Sequence, residues 1–142
     1  MTRLLRASYL PALLAAAMLS AGCSSAPDDA PVTHEVTGTV TFEGEPVPEA
    51  SMVFEDAAGK ERSFGAMVQN GEFSTQMTAG KKKVRITATR EVPGKTEPGP
   101  SGEPGVPATE QYIPAKYNTE TTLEEEVTAD GENHFEFQLT AE

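Results

Sequence analysis

The chain has 142 residues, with 11 Lys and Arg against 22 Asp and Glu, a formal net charge of −11. So acidic a chain is expected to repel nucleic acid and anionic lipid headgroups, which argues against a polyanion-binding role. The length allows one domain with a genuine core, while a single cysteine and two histidines exclude an internal disulfide and argue against a structural zinc site.

In chain order, Arg3 and Arg6 give a positive start, residues 10–19 are almost wholly apolar, and Ser20, Ala21 and Gly22 are small. That pattern predicts a secretion signal over residues 1–22. The apolar run is about half the roughly 20 residues a spanning helix needs, and Pro11 lies near its start. Residues 19–23 read L-S-A-G-C, which resembles the bacterial lipobox. Ser20 stands where that pattern usually carries an aliphatic residue. The resemblance implies diacylglycerol on Cys23, cleavage before it and a membrane anchor, with Ser24 in place of Asp implying delivery to the outer membrane. Cleavage removes Arg3 and Arg6, and the formal charge moves from −11 to −13. Residues 24–31, SSAPDDAP, lack apolar periodicity, so 23–33 is expected to be a flexible tether.

From residue 34 to 142 the apolar residues alternate in short runs, which predicts strands and no helix. Val36, Gly38, Val40 and Phe42 share one face of the first strand, with Glu35, Thr37, Thr39 and Thr41 on the other. Gly44 turns the chain, and Pro46 and Pro48 are expected to block ladder pairing before Ala50, Met52 and Phe54 alternate. Phe64, Ala66 and Val68 lead into Asn70-Gly71, a strong hairpin signal, followed by Phe73, Thr75 and Met77. Lys81, Lys82 and Lys83 read as a solvated turn ahead of Val84, Ile86 and Ala88; Phe135, Phe137 and Leu139 close the chain. The segment from Glu91 to Pro114 carries six prolines and is expected to be a loop, neither strand nor helix. Tyr112 and Tyr117, at its exit, are expected to cover an open end with their hydroxyls near water. Turns every eight to twelve residues or so predict a single antiparallel β-sandwich of about seven strands.

At this point VTGTVTFEGEPVPEASMVFED, NGEFSTQM and KKKVRITATR together resemble the carboxypeptidase regulatory-like, transthyretin-like β-sandwich domain. Gly44, Pro46, Pro48, Ala50, Phe54, Gly71 and Phe73 carry the likeness, and Met52 stands where that family usually has Val. With the lipobox, YIPAKYN and GENHFEFQL are similar to small envelope lipoproteins of planctomycete-type bacteria. These motifs are structural, so they imply a fold and transfer no catalytic residue. The transthyretin-fold hydrolase ends in Tyr-Arg-Gly-Ser, whereas this chain ends Leu139-Thr140-Ala141-Glu142. No His-x-x-Glu and no Gly-x-Ser-x-Gly occurs.

The expectation is therefore a non-enzymatic envelope lipoprotein without a cofactor, held to the membrane by its lipid and meeting an envelope protein or glycan partner. The alternative is a calcium-dependent or carbohydrate-binding module. Glu126, Asp130 and Glu132, near Glu124, Glu125 and Asn133, offer the oxygen ligands calcium takes. Their spacing matches no EF-hand, and ADGEN reads as a hairpin turn. With no Trp and few free aromatic residues, sugar platforms are scarce. His34 and His134 begin the first and last strands, where adjacency would make a surface metal pair conceivable.

Overall fold

The structure, a computed structural model, describes residues 30–99, 101 and 105–142. The signal segment, Cys23 and the tether as far as residue 29 lie outside the described residues. Pro31–Glu142 forms a compact unit whose core comes mostly from its strands, with Val47, Ala88 and Ile113 added from the connections.

The fold is all-β, as the alternation predicts. Its strands are β1 (Thr33–Phe42), β2 (Glu45–Pro46), β3 (Glu49–Asp56), β4 (Phe64–Gln69), β5 (Glu72–Thr78), β6 (Gly80–Thr87), β7 (Thr89–Glu97), β8 (Val106–Gln111), β9 (Glu124–Val127) and β10 (Asn133–Leu139). A 3-10 turn, Ala115–Tyr117, precedes β9. One sheet runs β10-β1-β5-β4-β3-β6-β9 with β2 against β1, and β7-β8 form a separate ribbon.

The long sheet curls on itself. Its inner face holds Val36, Val40, Met52, Phe54, Val84 and Ile86, all removed from solvent, and Phe73 on β5 lies 5.9 Å from Phe54 and 6.0 Å from Phe137 between ring centroids. Phe135, on the same strand as Phe137, packs half-buried at the core margin. Gly38 lies between Phe73 and Phe135 in the register of β5, β1 and β10. A Cβ there would sit 2.0 Å from the Phe135 carbonyl oxygen and 2.7 Å from the Phe73 ring, so only glycine lets these elements meet.

Five expectations need correcting. The sheet is not purely antiparallel: β10 pairs parallel with β1, from Val36↔Asn133 to Phe42↔Leu139. ADGEN is accordingly no hairpin turn. It joins β9 to β10, the two ends of the strand path, and so few residues bring those ends near one another only because the sheet curls. Asn133 braces the crossover, its Oδ1 accepting the Thr128 N–H at 2.8 Å and its Nδ2 donating to the Thr128 carbonyl at 3.0 Å.

The Pro/Gly segment also differs from expectation, since β7 and β8 pair within it as an antiparallel ribbon. Each strand of a two-stranded ribbon has a solvent edge, where a proline without an N–H disturbs no ladder. Pro93 and Gly94 fall within the register shift between Glu91 and Thr96, with Gly94 at φ +76°. Likewise Pro46 does not prevent pairing, because β2 meets β1 at Thr41↔Pro46 on a free edge. Finally, Lys81–Lys83 are not a turn but part of β6, opposite Glu124–Glu126 on β9.

Candidate functional site

Asn70-Gly71 forms the predicted tight turn, with φ of +53° and +82°. The strands it joins then part. β4 pairs with β3 from Phe64 to Gln69, and β5 with β1 from Glu72 to Thr78, but β4 and β5 pair only at Gln69↔Glu72. Between them opens a groove of about 1050 Å³.

The registers define its walls. One row of outward residues crosses its closed end: Glu49, Gln69, Glu72, Thr39 and Glu136, on β3, β4, β5, β1 and β10 in turn. The next row has Ser51 and Met67 on one wall and Ser74, Thr37 and His134 on the other. Met67 is 54% exposed, the largest apolar surface on this wall. The Thr37 hydroxyl lies 3.1 Å from His134 Nδ1 and fixes the imidazole.

Main-chain direction follows from the same hydrogen bonds. Asn70 donates its N–H to Pro48 and Val40 donates to the Gly71 carbonyl. By strand alternation, Gly65 and Met67 on β4 and Ser74 and Gln76 on β5 turn their N–H and C=O groups into the groove. The Thr75 hydroxyl reaches across to the Gly65 carbonyl at 2.9 Å. Among the described residues, Gln69↔Glu72 is the one ladder pair between the two strands.

A second cluster lies at the Lys82 end of the core. The alternation that buries Val84 and Ile86 also turns Lys82 inward, and it is fully buried. Its Nζ donates to Glu61 Oε2 at 3.0 Å and Thr78 Oγ1 at 2.9 Å, with Asp56 Oδ1 at 4.0 Å and the Phe64 ring centroid at 5.6 Å. Thr78 also donates to Glu61. The Thr78 hydroxyl first, and Lys82 next, hold the Glu61 carboxyl below the ordinary range, while the Lys60 main-chain N–H and then Lys82 do the same for Asp56. A lysine so enclosed is satisfied internally and offers no face to a substrate. Its parity with Val84 and Ile86 is visible in the sequence; the charge run around it hides the signal.

Among the other predicted residues, Glu126 faces Lys81 across the β6–β9 ladder, while Asp130 and Glu132 are exposed in the crossover. Among the described residues, no three His, Cys, Asp or Glu side chains group so as to hold a metal ion. β1 and β10 are indeed neighbours, but the register sets Thr37, not His34, beside His134. Tyr112 packs edge-on against Phe42 at 5.5 Å. The Tyr117 hydroxyl accepts the exposed Thr140 N–H at 3.1 Å. Cys23 lies outside the described residues. The chain matches no known family model, no curated protein and no solved structure.

Proposed function

We propose that this protein is a non-catalytic cell-envelope lipoprotein. Lipid on Cys23 holds it to the membrane, and its β-domain, of the carboxypeptidase regulatory-like kind, binds or spaces other envelope components. The observation that carries this reading is the only cysteine of the chain standing directly after a positive, apolar, then small-residue segment. An outer-membrane position follows from Ser24. The groove between β4 and β5 supplies the domain with a concave surface for a binding role.

Durable attachment needs more than one acyl chain, each buried methylene contributing about 0.8 kcal/mol. Cys23→Ala is therefore expected to lose incorporated fatty acid and to leave the detergent phase, or to accumulate uncleaved. Lipid label persisting on that variant overturns the reading.

A further inference from the structure

We propose that two copies of this domain pair through the outer edge of β10, antiparallel about a two-fold axis, with His134 of each copy opposite the partner's Glu136. The pairing goes beyond the binding or spacing role above and does not depend on the lipid.

The main chain makes the first part of the case. β10 ends the strand path, and among the described residues β1 is the one strand it pairs with. Its direction is fixed from that side: the Leu139 carbonyl accepts the Glu43 N–H at 2.9 Å, and the Phe135 carbonyl lies against Gly38. Odd-numbered residues therefore turn their N–H and C=O groups toward β1, and by alternation His134, Glu136 and Gln138 turn theirs away from the sheet. Thr140 shares that outward parity, and its N–H goes to the Tyr117 hydroxyl at 3.1 Å, which closes the edge there. Residues 134–138 remain open. The other edges of this fold are blunted: β9 is four residues long with three glutamates, and each strand of the β7–β8 ribbon holds a proline. β10 is seven residues long, with no proline and no lysine.

Its charge pattern is self-complementary in one register. About an axis through Phe135, His134 meets the partner's Glu136 and Glu136 meets the partner's His134, and both outward-facing pairs exchange main-chain hydrogen bonds. Moving the axis to Glu136 would set two carboxylates directly opposite each other, and moving it to His134 would set two imidazoles so, arrangements that like charge disfavours. His134 and Glu136 are exposed, and Glu136 has no ion pair among the described residues. With the Thr37 hydroxyl donating to His134 Nδ1 at 3.1 Å, Nε2 carries the proton and donates to the partner's carboxylate. Phe135, half-buried at the core margin, lies on the other face of the same axis. It meets the partner's Phe135 in a narrow, non-hydrogen-bonded pair with Cα atoms about 4.5 Å apart, so each ring covers apolar surface that a lone domain leaves at this edge.

The interface is small, so a dissociation constant on the order of 0.1 mM is expected. Copies confined to one membrane by the lipid proposed above would pair at far lower bulk concentration. The test uses the unit Pro31–Glu142 in solution. Sedimentation equilibrium from about 10 µM to about 1 mM should show the average mass rising from monomer toward dimer. Over the same range the amides of His134, Glu136 and Gln138 should shift in isotope-labelled protein. His134→Glu sets carboxylates opposite one another and Glu136→Lys sets a lysine opposite an imidazole, so each variant alone should pair about tenfold more weakly. Mixed, the two variants should associate with each other, because the carboxylates of the first then meet the imidazole and the introduced lysine of the second. That rescue depends on the register and cannot come from misfolding. A wild-type unit still monomeric at about 1 mM, single variants that pair as tightly as the wild type, a mixture no more associated than its components, or shifts confined to residues outside β10 overturns the proposal. Each of those outcomes leaves the lipid-anchor reading standing, since that rests on Cys23.

Discussion

Gly38 and Lys82 show how single positions constrain this fold. Gly38→Ala forces a methyl against the Phe135 carbonyl, which belongs to the backbone and has no side-chain rotamer to give way. A loss of about 3 kcal/mol, the upper part of the overpacking range, is expected in urea melts. At Lys82 the two partners are unequal. Glu61→Ala leaves a fully buried Nζ with Thr78 and a carboxylate 4.0 Å away, whereas Lys82→Met leaves Glu61, 44% exposed, free to rehydrate. Glu61→Ala should thus destabilise more than Lys82→Met, and the reverse order would show that the cluster does not hold Lys82 as described. The parity 82, 84, 86, 88 is present in the sequence, but the run Lys81–Lys83 read as a solvated turn and the inward position of Lys82 was missed. Its tolerance depends on Glu61, 21 residues away, and that convergence is a property of the folded chain.

At the scale of strands, period-two alternation was readable wherever one face is buried, as in β1, β3, β4 and β6. The Asn70-Gly71 turn was readable for its demand on φ. Partnership was not. The parallel pairing of β1 with β10 joins residues 97 apart at Thr37 and His134, and no local pattern encodes it. The parting of β4 from β5, which makes the groove, likewise follows from each strand having a better partner on its other side. The ribbon β7–β8 was missed because proline excludes a central strand but not an edge. It packs mainly upon itself, with Arg90 held to Glu110 at 2.7 Å near its base. Replacing residues 91–107 by a short Gly/Ser link should therefore change stability by no more than about 0.5 kcal/mol. Collapse on deletion would mean that the ribbon supports the sheet. Phe137→Ala, on an inner face, should cost about 3 to 5 kcal/mol by contrast.

For the whole molecule, stability against pH is set by groups of opposite sign. Asp56 and Glu61 titrate below their ordinary values, so the folded state binds their protons less readily than the unfolded chain does. Their contribution is complete above the unfolded carboxylate range, about pH 4, and is lost as pH falls through their folded values. Glu125 runs the other way. It stands opposite Lys82 on β9, half-buried and without an ion-pair partner among the described residues, and burial raises its pKa. Its ionisation costs stability at neutral pH, and protonation as pH falls through the raised value relieves that cost. Glu125→Gln removes the charge while keeping the shape, so it should stabilise the domain at pH 7. The gain should shrink through the acid range as the wild-type carboxyl itself becomes neutral. Urea melts from about pH 7 down to about pH 3.5 would follow both. The wild type should weaken below about pH 4, where Asp56 and Glu61 lose their charge, and the two stability curves should converge there. A Glu125→Gln difference unchanged across that range would mean that the glutamate is hydrated and that burial beside β6 does not govern its charge.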